Sequence, residues 1–376
     1  MQIDSIEVFH VALPLRQPLQ TPLGRPLDAL ETVLVRMQSG DTAGWGEASP
    51  GNAPLAGEEW AAGVFACLRD WLAPAVKGAW IESGDQLAER LKPFRGNRFA
   101  KAALDPAWWD LSARRQGRPL HQLLDGRRDA VEVGLTFDRM DSIDDFHSAL
   151  SEAFQAGFAR VKLKFRPGWE VQMVDFVRKE FPLETLHVDV EGALTLDYME
   201  MFCRLDDFSL AMIEQPLPPD DLVGHAMVQD TIRTPICLDE AITTPAQAEM
   251  ALELKSCRYV NLKPGRVGGL TPAVAIHDAC GRESVVCYVG AVPQSAIGAR
   301  ISLALAAKAN CTYPADFFRC DQLLEQDLAE PLLPVRDQPD GKMRVRLWSE
   351  PGLGVEPDPG LLAKFCINQT RSGTTP

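Results

Sequence analysis

The chain predicts a TIM-type (β/α) barrel joined to an α+β capping domain. Three observations predict it. The length, 376 residues, exceeds what one ordinary domain needs and suits a barrel of roughly 200 residues plus a second module. From Val131 onward, short β-branched or apolar runs alternate with amphipathic stretches, the texture of a parallel sheet. Three carboxylates, Asp189, Glu214 and Asp239, follow one another at intervals of 25 residues, about the length of one βα unit.

The elements follow in order. From Ile3 to Glu47, the alternation in Ile6-Val8-His10-Ala12 and the run Thr32-Val33-Leu34-Val35 predict an antiparallel meander. The segments 17–26 and 47–58, rich in Pro, Gly and small residues, are too long for hairpin turns and are expected to form active-site lids. From Glu59 to Gln122, apolar residues such as Ala61, Val64, Phe65, Leu68 and Leu72 recur at helical spacing. Barrel strands are expected at 131–135, 159–164, 186–190, 211–214, 236–239, 259–263, 285–288 and 311–313. Residues 344–354 read as a strand and turn returning to the first domain, and 368–376 as a frayed tail. The expected division is a capping domain over 1–125, a barrel over 126–317 and a C-terminal segment, 318–376, that returns to the capping domain.

Apolar residues make up 46% and charged residues 24%, enough to bury a large core. A formal charge of −14 repels phosphate backbones and anionic lipid surfaces, which argues against nucleic-acid and membrane partners. A small carboxylate substrate stays compatible, because a bound cation and nearby lysines can reverse the local field. The nine cysteines show no C-x-x-C spacing and read as reduced packing residues. No basic leader or long apolar run is present, so a cytoplasmic location is expected.

The equal spacing sets Asp189, Glu214 and Asp239 at the ends of successive strands, on the rim where barrel active sites sit. Converging carboxylates would repel and raise one another's pKa, and a divalent cation resolves that conflict. All-oxygen ligands favour Mg²⁺. A single acid at a strand end could merely cap the next helix, but three in register make that reading weak.

Lysines flank the acids: Lys162 and Lys164 in Val-Lys-Leu-Lys-Phe, and Lys263 in Val-Asn-Leu-Lys-Pro-Gly-Arg. Residues two apart on a strand share a face, so Lys162 and Lys164 point into the barrel mouth and Leu163 toward the helices. An isolated lysine at a strand end is ordinarily a solvated charge. Beside the acid triplet a chemical role becomes the better reading, because in a poorly hydrated site its pKa falls and a neutral amine can act as a base. Lys164 ends the second strand and Lys263 the sixth, on opposite sides of the barrel, so a substrate would lie between two acid/base groups. A cation that stabilises the anion formed by removing an α-proton, together with a lysine, is the combination such chemistry needs.

These motifs resemble the muconate-lactonising subgroup of the enolase superfamily: Lys162-x-Lys164, Asp189, Ile213-Glu214-Gln215-Pro216, Leu238-Asp239-Glu240 and Lys263-Pro264-Gly265-Arg266-Val267-Gly268-Gly269. The similarity runs nearly end to end, since Gly44-Trp45-Gly46-Glu47, Ala107-Trp108-Trp109-Asp110-Leu111 and Tyr313-Pro314-Ala315-Asp316 also match. The resemblance implies that Asp189, Glu214 and Asp239 bind Mg²⁺, with Mn²⁺ possible, and that Lys164 and Lys263 exchange the α-proton. It implies too that Lys162 assists Lys164 and contacts the substrate carboxylate, and that the protein is a homo-oligomer. Within the subgroup, o-succinylbenzoate synthases, lyases of menaquinone biosynthesis, and N-succinylamino acid racemases are most similar. Racemases, epimerases and cycloisomerases share the lysine pair, so an isomerase is the alternative, and a non-catalytic binding barrel a more distant one.

Two departures bear on substrate. Relatives carry Gly-Gly-Met and Glu-Thr-Gly-Ile-Gly after the seventh strand, where this chain has 289–298 with Gly290, Pro293, Gln294 and Ser295. Relatives also carry Asn two residues after the first metal aspartate, where this chain has Glu191. Glu191, Gly290, Gln294 and Ser295 are therefore candidate substrate contacts, Glu191 either as a fourth carboxylate near the metal or as a partner for a cationic group. Gly24, Gly40, Gly44 and Gly46 read as turn glycines, and His187 as a hydrogen-bonded core residue.

Overall fold

The structure, a computed structural model, describes residues 1–21, 24–55, 57–138, 140, 142–166, 170–317 and 319–372. Parts of both expected lids (residues 22, 23 and 56) and the last four residues of the expected tail lie outside them.

The β-branched N-terminal runs form an antiparallel meander of β1 (Ser5–Leu19), β2 (Leu27–Ser39) and β3 (Thr42–Ala48). The first expected lid is shorter than the sequence suggested, because β1 continues to Leu19 and pairs there with Leu27 after a register shift. Gly44 and Gly46 are not turn glycines. They lie within β3 and let it press against the helix Arg98–Arg115: a Cβ on Gly44 would fall 2.2 Å from the Leu111 nitrogen, and one on Gly46 2.2 Å from the Ala103 carbonyl oxygen. Gly40, with φ of +57°, does occupy the two-residue turn between β2 and β3.

The barrel is built from β4 (Ala130–Phe137), β5 (Val161–Lys164), β6 (Leu186–Asp189), β7 (Ile213–Glu214), β8 (Ile236–Leu238), β9 (Tyr259–Leu262), β10 (Val286–Val289) and β11 (Ala315–Asp316). β4 to β10 pair in parallel in chain order. Closure comes from β11 pairing with β4 and from a parallel bridge between Cys287 and Cys311. The eighth strand, expected at 311–313, is thus split, and Pro314, which has no N–H to donate, stands in the break.

Strand periodicity sorts the side chains. Leu163, Val188, Ile213, Leu238 and Leu262 face the surrounding helices in the main apolar core, while Met212, Cys237 and Tyr288 form a separate inward cluster. Polar and charged side chains fill the interior above that cluster.

The C-terminal segment departs from expectation in two places. Met343–Arg346 (β13), with Val335–Arg336 (β12) beside it, pairs antiparallel with β4 of the barrel rather than with the first sheet; only the following turn meets the capping side, where the Leu353 N–H donates to Asp110. What returns to the meander is Cys366–Ser372 (β14), its residues 368–372 expected as frayed tail, and it pairs with β1 through Ile6–Val11. The nine cysteines are free thiols. Among the described residues, no helix is long and apolar enough to cross a membrane.

Candidate active site

Strand register brings the acids and lysines to one rim. Lys164 pairs with Asp189 across β5 and β6, and Asp189 with Glu214 across β6 and β7. Glu214 pairs with Cys237, so Asp239 lies two residues further along, on the same inward face. Lys263 follows β9 directly and begins the short turn of helix Pro264–Val267. Asp189, Glu214 and Asp239 are 2%, 0% and 1% exposed.

Each acid has a cation against it. Lys164 Nζ lies 2.8 Å from Asp189, Lys263 Nζ 2.6 Å from Asp239, and Lys162 Nζ 3.0 Å from Glu214. Arg266 takes the second oxygen of Asp239. Glu214 is the most enclosed: Tyr288 donates to it at 2.7 Å and Asn261 Nδ2 at 2.7 Å. His187 Nε2 lies 3.2 Å from its carboxylate and Nδ1 lies 2.8 Å from the Tyr313 hydroxyl. Burial lowers the His187 pKa to about 4. The ring is therefore neutral, and because a carboxylate only accepts, Nε2 carries the proton and Tyr313 donates to Nδ1.

The carboxylates respond differently to this crowding. Burial, then the charge of Glu214, pushes Asp189 up to about 6. Burial acts on Glu214 in the same direction, but Lys162 and the His187 hydrogen bond outweigh it and hold Glu214 well below the ordinary range. Burial pulls the Lys164 ammonium down, yet Asp189 and Glu191 overcome it, so its pKa lies above the ordinary lysine value. The lowered pKa expected from sequence is thus not the state described. The reason is pairing: two carboxylates are free to hold this ammonium, and a cation on Asp189 would withdraw one of them.

The residues suit a hard divalent cation by the chemistry of their donors. Three buried carboxylates from neighbouring strands supply oxygen alone, and the adjacent Glu240 leaves a buried carboxylate oxygen, Oε2, without a hydrogen-bond partner. Among the described residues no three His, Cys, Asp or Glu side chains converge as a ready-made chelate. The ammonium groups of Lys162, Lys164 and Lys263 stand against the acids instead.

The four residues singled out for substrate contact are placed unequally. Glu191, at φ of +54°, spans Lys164 and Arg166, and Arg166 in turn pairs with Asp138 at 2.8 Å. Gly290 sits beside Lys263, where a Cβ would fall 2.7 Å from Lys263 Cε and 2.2 Å from Asn261 Oδ1. Gln294 is buried with its amide on Ser302, and the Ser295 hydroxyl caps the helix Ala296–Ala306 while donating to Glu47. Both of these are held by the protein itself. Sequence reasoning gave no role to Arg266, Asn261 or Tyr288. Asn261 was within reach of the period-two rule, being two residues before Lys263, whereas Tyr288 needed the register across β9 and β10.

Two family models match the chain: Mandelate racemase / muconate lactonizing enzyme, N-terminal domain, over residues 3–125, and Enolase C-terminal domain-like over residues 145–361. An o-succinylbenzoate synthase of Geobacillus kaustophilus is 35% identical over 95% of this chain and 94% of its own. An N-succinylamino acid racemase of Thermus thermophilus is 36% identical over 90% of this chain and 91% of its own. A crystal structure from Enterococcus faecalis, described as an unknown member of the enolase superfamily, superposes with a TM-score of 0.91 at 30% identity, over 99% of both chains.

Proposed function

The chain belongs to the enolase superfamily, in its mandelate racemase and muconate lactonizing group, and on that premise we propose that it removes a proton α to a substrate carboxylate with the help of Mg²⁺. The leading activity is dehydration of the o-succinylbenzoate synthase type, a lyase reaction of menaquinone biosynthesis. One observation carries this reading: two lysines, Lys164 and Lys263, each lie within 2.8 Å of a different aspartate, with Glu214 on the strand between those acids.

Asp189, Glu214 and Asp239 would hold the metal, with Mn²⁺ as a substitute. When bound, it supplies positive charge beside the substrate carboxylate, which lowers the cost of removing the neighbouring proton. Lys164 would take that proton at Nζ. Lys263, from the far side, would face the developing anion with its ammonium. Lys162, 3% exposed and raised well above the usual lysine pKa by Asp316, Glu214 and Asp189 against the pull of burial, would meet the substrate carboxylate as a fixed ammonium. Glu191 and Gly290 remain candidate pocket residues. The enzyme would act on small carboxylates in the cytoplasm as a homo-oligomer, with domain limits near residues 125 and 317.

Racemisation of an N-acylamino acid is the second reading, favoured by the near-symmetry of the lysines, each with its own aspartate. Dehydration needs one lysine to move protons, whereas racemisation needs both to do so in turn. Incubation with Mg²⁺ in D₂O, with a succinyl-cyclohexadiene acid and both enantiomers of an N-succinylamino acid, tests the proposal. Turnover of the first compound is expected, with deuterium entering the second at its α-carbon. A wild-type enzyme that neither turns over nor exchanges any of them would refute the reading and favour a binding barrel.

A further inference from the structure

We propose that Asp316 and Arg160, which lie beneath the acid triplet, are positioning residues that fix the ammonium of Lys162; this rests on the reading above that Lys162 meets the substrate carboxylate. Lys162 Nζ lies 2.9 Å from Asp316 Oδ2, a closer contact than the 3.5 Å to Asp189. The other oxygen of Asp316 pairs with the Arg160 guanidinium. Arg160 is 0% exposed, and the interior is shaped around it. Its guanidinium carbon stands 5.8 Å from the ring centroids of both Tyr288 and Tyr313. It donates to the carbonyls of Leu135 and Pro314. Gly134 supplies the space, since a Cβ there would fall 2.5 Å from Arg160 Nε.

A fully buried arginine is costly to keep, and an ion pair that only filled space would be replaced by apolar side chains at little or no loss. Arginine's planar fork, however, fixes a carboxylate in direction as well as distance. Asp316 held in that way presents its remaining oxygen at one point, and Lys162 is drawn to it. A four-carbon side chain that otherwise has many rotamers is then confined to a single position between Asp316 and Glu214. The same arrangement keeps Lys162 from swinging fully onto Asp189, which the proposal above reserves for the metal. Asp316 and Arg160 touch no substrate in this account; they act through Lys162.

The test is a double-mutant cycle with a structural readout. Asp316→Asn in the wild-type background should lower kcat for α-proton exchange of an N-succinylamino acid by roughly 10–100-fold, with KM changed far less, and Asp316→Glu should recover part of the loss. In a Lys162→Ala background, Asp316→Asn should have little further effect. Equal losses in both backgrounds, or no loss in a folded Asp316→Asn protein, overturn the proposal. A crystal structure of Asp316→Asn reads the same point without activity: Lys162 Nζ should leave its position beside Glu214, and finding it in place overturns the proposal whatever the substrate. Loss of all exchange in the wild type, by contrast, counts against the assigned reaction alone. Should Asp316→Asn fail to fold, Arg160→Lys carries the cycle, with the same displacement of Lys162 expected.

Discussion

Replacing Glu47 by glutamine would alter the seam between the capping sheet and the barrel while leaving its shape almost unchanged. Glu47 ends β3 and is 6% exposed. Its Oε2 accepts the Gly298 N–H at 2.8 Å and the Ser295 hydroxyl, and its Oε1 accepts the Ser295 N–H at 3.0 Å and the Ser49 hydroxyl at 2.8 Å, with Thr32 Oγ1 2.9 Å away. An amide offers one accepting atom in place of two, so at least two of these donors would confront an NH₂ group. Hydrogen bonds to a buried charged group are worth about 1.5–3 kcal/mol each, and a carboxylate at a helix N-terminus, here that of Ala296–Ala306, adds about 0.3–1 kcal/mol. Two such bonds amount to about 3–6 kcal/mol, so after relaxation the loss should be about 3–5 kcal/mol. Urea unfolding, followed by tryptophan fluorescence and by far-UV circular dichroism, measures it. Glu47→Gln should unfold at lower urea, with the two signals separating as the modules lose their coupling. A single coincident transition within about 1 kcal/mol of wild type would refute the reasoning.

Three further outcomes are expected. The φ of Gly290 is not in the left-handed region, but in Gly290→Ala the methyl would meet Asn261 Oδ1 at 2.2 Å and Lys263 Cε at 2.7 Å, pushing Asn261 off Glu214 and Lys263 off Asp239, and a displacement of about 1 Å costs on the order of 100-fold in kcat; unchanged exchange kinetics in the folded variant would show that neither side chain depends on that space. Mg²⁺ at 100 times its dissociation constant should stabilise the wild type by about 2.7 kcal/mol and leave Asp239→Asn nearly unaffected in a thermal melt; equal shifts in the two proteins would remove Asp239 from the metal site. Asp105 accepts the N–H groups of Leu270 and Thr271, and burial raises it from 3.8 to about 6. The native state then binds the extra proton between those values, so the stability it contributes is complete below pH of about 4 and is lost as pH rises through about 6, up to about 3 kcal/mol in all. Asp105→Asn can still accept both N–H groups, so its urea stability should gain on wild type from pH 4 to pH 7; a constant difference at the two values would contradict the assignment.

What was legible in the sequence is what repeats locally. The spacing of Asp189, Glu214 and Asp239 is set by the length of one βα unit, and the shared face of Lys162 and Lys164 by the pleat, so both follow from the sequence without knowledge of any contact. What was not legible depends on distant partners. Gly44 and Gly46 look like turn residues until the helix Arg98–Arg115 lies on them, and residues 368–372 look like a tail until β1 pairs with them. Ser295 looks available to substrate because its claimant, Glu47, lies 248 residues away in the chain. The protonation of Lys164 escapes the sequence for a related reason: the pKa of a buried amine follows the balance of charges touching it, and Glu191 is one of them.

That balance orders the barrel interior. From the floor upward, Arg160 meets Asp316, Asp316 meets Lys162, and Lys162 meets Glu214, so each buried charge has an opposite one in contact. At the rim the same alternation continues through Lys164 with Asp189 and Lys263 with Asp239. The lower pairs are sealed from water and have no reason to open. The upper pairs are not sealed: the side chains of Lys164 and Lys263 are 19% and 17% exposed. A divalent cation entering the rim would compete with those two ammonium groups for the same oxygens, so metal binding and release of the lysines toward substrate would be one event. The fixed lower charges would keep the acids in place while that exchange occurs.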